Sequence, residues 1–273
     1  MTKKIHTLYF SPTGTTEKIV TGIAQKIAEN DGGSGTVSPI DFTLPESRKK
    51  TYSFDKEDLV VAGIPVYAGR VPNVLLKFLN TISGNEATAV AVVLYGNRNY
   101  DDALIEFKDI LESTGFQVIA GAAFVGEHSF STTLAANRPD EQDMAVAADF
   151  ASKIYEKMRT PGENPGVVVK GNKPYREYYR PKDPDGNFVS ILKVKPKTND
   201  DCIDCKLCSE VCPMGSIDPD DTSNIIGICI KCGACIKKCP VGAKYYDDEN
   251  YLRHKHELED EFTSTRREPE CFV

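Results

Sequence analysis

Two stretches of the chain repeat one cysteine pattern. The first reads Cys202-Ile-Asp-Cys205-Lys-Leu-Cys208-Ser-Glu-Val-Cys212-Pro213. The second starts 27 residues further on and reads Cys229-Ile-Lys-Cys232-Gly-Ala-Cys235-Ile-Lys-Lys-Cys239-Pro240. Each is a C-x2-C-x2-C-x3-C-P run, in which three thiolates bind one four-iron cluster and the fourth binds the other cluster. The sequence therefore predicts two interlocked 4Fe-4S clusters.

The crossing of the fourth cysteine predicts the two ligand sets. The first cluster takes Cys202, Cys205, Cys208 and Cys239, and the second takes Cys229, Cys232, Cys235 and Cys212. Neither run could then fold around a complete cluster alone. We expect apolar side chains between the cysteines to shield the sulfurs from water: Ile203, Val211, Ile217, Ile226, Ile228, Ile230 and Val241.

Two other interpretations of the cysteines compete with the clusters. Zinc needs only four ligands, so it gives no reason for a third cysteine and a Cys-Pro pair in both runs. A disulfide framework is typical of short secreted domains, whereas this chain is long and begins without a signal peptide.

The ninth cysteine, Cys271, lies outside both runs and is predicted not to be a ligand. His254 and His256 are predicted to be surface residues rather than metal ligands.

The composition predicts a soluble protein, and the length is enough for one substantial domain and a smaller second unit. The chain has 273 residues, 40% hydrophobic and 27% charged, and no apolar run long enough to span a bilayer. Its net charge of -7 argues against nucleic acid as a partner and suggests proteins with basic patches, although solubility alone also explains mild acidity. Eight thiolates committed to iron imply a reducing compartment, so we expect a cytoplasmic protein.

A short apolar strand near the start of the chain leads into a hydroxyl-rich turn. The strand covers residues 4–10, the turn is Ser11-Pro-Thr-Gly-Thr-Thr16, and a helical pattern begins at Glu17. Free amides at a helix N-terminus and neighbouring hydroxyls bind anions, so this turn is a candidate phosphate site. It is neither a Walker A motif nor G-x-G-x-x-G. The alternative is an ordinary turn with an N-cap.

Four further segments have the pattern of strands: residues 36–42, 58–64, 87–95 and 116–124. Helical patterns follow at residues 73–81, 102–113 and 141–158. The continuous apolar run at 58–64 suits a strand that is buried on both faces of a parallel sheet. The alternation with short connections predicts an α/β fold with a five-stranded parallel, doubly wound sheet in the order 2-1-3-4-5.

Residues 1–158 resemble flavodoxins, which bind FMN at the carboxyl end of such a sheet. The resemblance rests on the pattern Ser/Thr-x-Thr-Gly-x-Thr, which Ser11, Thr13, Gly14 and Thr16 meet, with Thr15 as a further hydroxyl. It implies that FMN also contacts two loops that follow strands. One is Pro65, Val66, Tyr67, Ala68, Gly69 and Arg70, and the other is Tyr95, Gly96, Asn97, Arg98, Asn99, Tyr100 and Asp102.

The resemblance implies roles for five of these residues: a ring contact for Tyr67, a flexible peptide at Gly69, a charge near the reduced ring for Arg70, a polar contact for Asn97 and stacking for Tyr100. Tyr67 could instead be a packing aromatic. For Asp101 and Asp102, N-capping of the following helix is the simpler explanation, and we favour it for Asp102. The chain contains no tryptophan, which leaves tyrosines as the stacking candidates.

His128 follows the fifth strand, in a loop expected on the same rim of the sheet as the other loops. A two-electron reduction of an organic acceptor needs protons, and imidazole titrates near neutral pH, so His128 is a candidate catalytic proton source. The alternative is a structural or solvated histidine.

Residues 159–199 form a linker rich in Pro, Gly and Lys, which we expect to be ordered. Possible short strands are 166–170 and 188–192. Its tyrosines and arginines either form a docking surface or pack across the first domain: Tyr175, Arg176, Tyr178, Tyr179 and Arg180. Residues 247–273 form a C-terminal helix and tail, with Tyr251, Leu258 and Phe262 spaced to anchor one helical face.

Residues 200–246 resemble the bacterial dicluster ferredoxin domain, and the whole chain resembles the flavodoxin-ferredoxin fusion proteins of the EFR family. The resemblance implies electron transfer between FMN and two 4Fe-4S clusters, linking a ferredoxin or other low-potential donor to an unknown partner protein. An FMN-dependent reductase of a small acceptor such as a quinone, with the clusters as an internal wire, is the alternative. A metal-stabilised interaction module is a third reading. If FMN and clusters were far apart within one chain, transfer across a homodimer would be required.

Overall fold

The protein is described by a computed structural model that covers residues 3–32, 36–160 and 166–273. The strands are β1 (Lys4–Tyr9), β2 (Val37–Asp41), β3 (Asp58–Pro65), β4 (Thr88–Tyr95), β5 (Gln117–Val125), β6 (Lys197–Thr198), β7 (Lys244–Tyr245) and β8 (Glu270–Phe272). The helices are α1 (Thr15–Asn30), α2 (Asn73–Leu79), α3 (Ala103–Ser113), α4 (Glu141–Arg159), α5 (Leu207–Glu210), α6 (Ala234–Lys237) and α7 (Glu249–Phe262).

The main sheet has the strand order β2-β1-β3-β4-β5-β8. Its first five strands are parallel, which confirms the predicted order 2-1-3-4-5. A sixth strand, β8, adds to these five: it pairs antiparallel with β5 and covers an edge that would otherwise expose unpaired backbone groups. Between β2 and β3 the chain forms only a short 3-10 turn at Ser47–Lys49.

Two apolar layers pack on the faces of the sheet. Helices α1 and α4 contribute to one layer, and α2 and α3 contribute to the other. Strand β4 is buried along its whole length and β3 along all but its last residue, as parallel strands covered by helices should be. Helix α1 approaches β3 so closely that a Cβ at Gly63 would overlap the side chain of Val20. The loops at the carboxyl ends of the strands are therefore held by a rigid base.

The linker is extended but is not a strand at either predicted position. Residues 166–170 and 188–192, all described, form no strand. Val167 and Val169 are buried in the core while Val168 is 87% exposed, so this segment lies along the sheet with alternating side chains and only one backbone bond, from Val167 to Val118. Phe188 makes a single bridge to Lys182 and is exposed. We infer that the linker is fixed by side-chain contacts.

Helix α7 packs through a face that includes a histidine. Tyr251 and Leu258 are buried as expected, and Phe262 is partly buried. The expectation that His254 lies on the surface was wrong, since it is 5% exposed and its ring lies 5.7 Å from that of Tyr179. His256 is exposed. No helix in the described part of the chain is long and apolar enough to cross a membrane.

Candidate functional site

A cavity opens at the carboxyl ends of β1, β3, β4 and β5, and we call it the rim cavity. Its space is about 470 Å³ and is partly open to solvent. Its lining comes from four loops and one distant cysteine: Pro12, Thr13, Thr15, Thr16, Pro65, Val66, Tyr67, Leu94, Tyr95, Gly96, Gly126, Glu127, His128, Ser129 and Cys232. Three threonines, two tyrosines and a histidine thus line one space.

The N-terminus of α1 supplies the anion-binding part of the rim cavity. Gly14 stands before the helix with φ 88°, a left-handed conformation that glycine adopts without strain, and as a glycine it has no side chain that could cap the helix. The first amides of a helix have no partner within it, so those of Thr15 and Thr16 are available to a phosphate. Ser11 differs from the prediction. Its hydroxyl accepts the Glu17 amide at 3.0 Å, and it does not line the cavity.

From Asn97 onward, the loop after β4 is covered by other parts of the chain. The buried Asn97 amide donates to the carbonyls of Phe262 and Thr265 at 2.8 and 2.7 Å, and its oxygen accepts the Arg267 amide at 3.2 Å. The proposed polar contact of Asn97 with FMN is therefore corrected, because the C-terminal tail occupies its side chain. Asn99 accepts the amide of Asp101 at 2.9 Å.

Asp102 binds the linker instead of FMN or its own helix. Its fully buried carboxylate accepts the Asn172 amide at 2.9 Å and the Arg176 amide at 2.7 Å, and it pairs with the Arg176 guanidinium at 2.9 Å. Burial acts to raise the pKa of Asp102, but hydrogen bonds from Arg176 and Asn172 outweigh it and lower the pKa to about 2. The expected capping of α3 is wrong, since no side chain caps that helix.

The Arg70 side chain also contacts the linker. Its guanidinium pairs with Glu106 at 2.7 and 2.8 Å and lies 4.9 Å from the ring centres of both Tyr175 and Tyr178. Arg98 pairs with Asp101 and lies over the Tyr179 ring. Four of the five linker residues therefore pack across the first domain, which was one of the two expectations: Tyr175, Arg176, Tyr178 and Tyr179. The fifth, Arg180, lies over the Phe188 ring within the linker. Arg70 and Arg98 do not line the rim cavity.

The remaining predicted residues divide between cavity and core. Tyr100 is buried in the core beside Tyr95, with ring centres 5.6 Å apart, and does not line the cavity as a stacking residue would. Ala68 and Gly69 form the turn after Tyr67, and both have positive φ. The carbonyl of Ala68 accepts the Tyr179 amide at 2.9 Å. Tyr67 faces the cavity, and burial together with Cys232 and Cys229 raises its pKa well above the usual range.

His128 lines the rim cavity as a neutral imidazole. Its Nδ1 accepts the Phe130 amide at 3.1 Å, which leaves the hydrogen on Nε2. Burial, assisted by Lys237 and His254, lowers the pKa of His128 to about 3. The side chain also packs so closely on Gly96 that a Cβ there would overlap the ring. The predicted role as a proton source near neutral pH is therefore not supported, because an imidazole with a pKa of about 3 does not change its protonation state near pH 7.

The eight cysteines of the two runs divide between two further cavities. One is lined by Cys202, Cys205, Cys208 and Cys239, and the other by Cys212, Cys229, Cys232 and Cys235. We call these the distal and proximal sets, because Cys232 of the second also lines the rim cavity. All nine cysteines are free thiols, which removes the disulfide alternative. Among the described residues, no group of three or more His, Cys, Asp or Glu side chains is arranged around a single metal ion.

The two sets have matching backbone geometry and donor chemistry. The Ser216 amide donates to Cys212 Sγ and the Ala243 amide to Cys239 Sγ, both at 3.3 Å. Amide-to-sulfur bonds of this kind stabilise the thiolate ligands of iron–sulfur clusters. Burial raises the pKa of the Cys232 thiol to about 12, whereas Cys205 of the distal set is exposed. Four thiolates around each cavity fit a four-iron cluster.

The proximal set packs directly on the loop after β5. A Cβ at Gly233 would overlap the carbonyl oxygen of Ser129, so this contact requires glycine. The Lys237 ammonium pairs with Glu127 and donates to the Ser131 carbonyl at 2.8 Å. These contacts bring Cys232 into the wall of the rim cavity. No local pattern could predict these contacts, because they join residues about a hundred positions apart.

Part of the chain matches a known protein family. Residues 201–244 match the family described as 4Fe-4S dicluster domain. An archaeal flavodoxin is 16% identical, with a TM-score of 0.41 over 57% of this chain and 99% of its own. The Streptococcus pneumoniae flavodoxin is 19% identical, with a TM-score of 0.39 over 56% and 98%. An FMN-bound flavodoxin variant of Fusobacterium nucleatum is 17% identical, with a TM-score of 0.38 over 58% and 98%. No curated protein matched the chain.

The strand order and the family match together define the class. The N-terminal part has five parallel strands in the order β2-β1-β3-β4-β5, and residues 201–244 match a 4Fe-4S dicluster domain. The chain therefore joins a doubly wound α/β sheet to a segment that matches a dicluster domain, and Cys232 of that segment lies in the wall of the rim cavity.

Proposed function

We propose that this protein transfers electrons between two 4Fe-4S clusters and FMN, and that it links a low-potential donor protein to a partner protein. The observation that carries the proposal is the position of Cys232, which lines both the proximal cysteine cavity and the rim cavity. When bound, each cluster exchanges one electron and FMN exchanges one or two. A cluster ligand in the wall of a flavin site is the arrangement that such an exchange needs.

The rim cavity supports FMN as its occupant. The amides of Thr15 and Thr16 at the start of α1 and the hydroxyls of Thr13, Thr15 and Thr16 suit the phosphate. Tyr67 and Tyr95 suit the ring, and the Nε2–H of neutral His128 is a hydrogen-bond donor at its side. We assign one cluster to the distal set and the other to the proximal set, in the pairing that the crossed pattern predicts.

Electrons are proposed to enter at the distal set. Cys205 is exposed there, and the apolar side chains next to the sulfurs are open to solvent, with Ile203 61% and Val241 41% exposed. The expectation that Ile203 and Val241 shield the sulfurs from water was therefore wrong. The expectation also fails for Ile226 and Ile228 near the proximal set. A donor protein at the distal face would bury these side chains and approach the cluster.

The structure offers less support for a reductase of small molecules. Tyr100 lies in the core, and Phe130 packs on Tyr251 with ring centres 4.7 Å apart, so neither lines a substrate pocket over the ring. His128 is neutral. Because one chain brings the proximal set to the rim cavity, the proposed transfer also needs no second subunit.

The test is anaerobic isolation of the full chain with iron, sulfide and FMN measured on one sample, followed by rapid mixing with a reduced low-potential ferredoxin. We expect about eight irons and one FMN per chain, with the flavin reduced after the clusters. Cys205→Ser and Cys232→Ser should slow flavin reduction, whereas Cys271→Ser, in the exposed part of β8, should not.

Three outcomes would overturn the proposal. The first is zinc in place of iron after strictly anaerobic isolation. The second is no bound flavin after FMN is supplied. The third is an unchanged rate of flavin reduction in both cluster-ligand variants.

A further inference from the structure

The two cysteine runs are equivalent residue by residue at an offset of 27 positions. Asp204 and Lys231 both have φ 55°, and Lys206 and Gly233 have φ 63° and 76° immediately before α5 and α6. The amide-to-sulfur bonds at Cys212 and Cys239 obey the same offset. Any difference between equivalent positions is therefore a difference between the surroundings of the two clusters.

The first difference is a reversal of charge. Lys231 is only 6% exposed, and its ammonium donates to the carbonyls of Leu192 at 2.6 Å and Cys229 at 2.9 Å, beside a proximal ligand. The equivalent distal residue is Asp204, whose largely exposed carboxylate pairs with Lys206 at 2.7 Å. At this position the proximal set has a buried cation and the distal set has an exposed, paired anion. The distal cavity has lysines at other positions, Lys206 and the buried Lys244, and the proximal equivalent of Lys244 is Ile217.

The second difference is a hydroxyl that bonds to sulfur. Tyr246 is 8% exposed, lines the proximal cavity, and has its hydroxyl 3.4 Å from Cys229 Sγ. With the cysteine bound to iron as a thiolate, the hydroxyl is the donor. The ring of Tyr246 packs against that of Tyr251, with ring centres 4.2 Å apart and the ring planes tilted by 40°. The equivalent distal residue is Pro219, which has no donor.

We propose that Lys231 and Tyr246 both raise the reduction potential of the proximal cluster, and that the hydrogen bond from Tyr246 to Cys229, which has no distal counterpart, places that potential above the potential of the distal cluster. This inference rests on the proposed function. Reduction adds one negative charge to a cluster, so a nearby cation and a hydrogen bond to a ligand sulfur both favour the reduced form. Burial of Cys232 and Cys235 opposes this effect, but the same burial weakens the solvent screening of the Lys231 charge.

The order of potentials gives the transfer a direction. A single electron from a low-potential donor protein reaches the distal cluster and then passes to the proximal one. In the second transfer the distal cluster is oxidised and the proximal cluster is reduced, with no bond made or broken and no proton moved. The cluster beside the rim cavity is thus the one that retains the electron.

The experiment is an anaerobic redox titration of the full-length holoprotein, followed by EPR. Cys205→Ser identifies the distal signal, because it changes an exposed distal ligand. We expect the other signal to have the higher potential in the unsubstituted protein. Tyr246→Phe and Lys231→Gln should each lower it, while Lys231→Arg should largely retain it, and Asp204→Asn should raise only the distal potential.

Tyr245→Phe is the matched control for Tyr246, since Tyr245 is its exposed neighbour in β7. A proximal potential that is equal to or below the distal one, or that stays unchanged in both Tyr246→Phe and Lys231→Gln, would overturn the inference and leave the proposed function intact. Fewer than four irons per chain would instead overturn both.

Discussion

The proximal and distal cysteine sets are built from one repeated sequence, but they face different surroundings. The proximal set lies against the rim of the sheet, and the distal set lies at the protein surface. At the position before the short helix, the distal run has Lys206, whose side chain reaches the Asp220 carbonyl and Asp204. The proximal run has Gly233, because a side chain there would overlap Ser129. One missing side chain thus allows one half of a repeat to dock while the other stays exposed.

We expect the largest effect from exchanging the residue at this position of the proximal run. Gly233→Lys places the distal residue in the proximal run, and the overlap with the Ser129 carbonyl should separate the proximal set from the rim cavity. The left-handed backbone alone costs a non-glycine residue about 1–2 kcal/mol. We expect flavin reduction by the clusters to slow by about a hundredfold, in line with the cost of an ångström-scale misplacement. Rapid mixing with a reduced ferredoxin measures it.

The reverse exchange, Lys206→Gly, is the control for this prediction. It should leave the rate of flavin reduction unchanged, since Lys206 contacts no part of the rim. Equal rates in Gly233→Lys and the unsubstituted protein, at full iron content, would show that the docking does not depend on this position.

Removal of the cation that fastens the proximal side should have a smaller effect. Lys237 pairs with Glu127 and the Ser131 carbonyl, whereas the equivalent distal residue, Glu210, is exposed. Lys237→Met should lower the free energy of unfolding by about 1.5–3 kcal/mol, the usual value of hydrogen bonds to charged groups. Chemical denaturation under anaerobic conditions measures the change. Glu210→Met should change stability by less than about 0.5 kcal/mol, and equal losses in both variants would contradict the asymmetry.

The smallest expected effect is a loss of stability at mildly acidic pH, which comes from His128 next to the proximal set. His128 has a folded pKa of about 3, below its ordinary value of 6.5, so the unfolded chain binds more protons between these values and stability falls as the pH drops. From pH 7.5 to 5.5 this histidine should cost at most about 1.4 kcal/mol. His128→Gln should remove that part of the pH dependence, measured by denaturation at both pH values. An unchanged slope would mean that the imidazole is not buried as a neutral group.

The sequence predicted the elements that depend on local pattern. The parallel order of β1 to β5 and the division of the cysteines into two sets follow from apolar periodicity and from a spacing set by cluster geometry. Asn97 and Asp102 were misassigned because their partners, Thr265 and Arg176, lie 168 and 74 positions away and give no local signal. His254 is different, since it follows Tyr251 by three positions and precedes Leu258 by four. Helical periodicity alone could have predicted its burial.

The pairing of β8 with β5 has a consequence for biosynthesis. The edge of β5 stays open while the chain is translated, because the segment that covers it, Glu270–Phe272, follows both cysteine runs in the sequence. Domains generally fold as units from the N-terminus during synthesis, and an open strand edge is prone to aggregation. Closure of this sheet therefore comes after all eight cluster ligands have left the ribosome. A nascent chain stalled before residue 270 would display an unprotected edge, which gives chaperones a means to recognise an unfinished molecule.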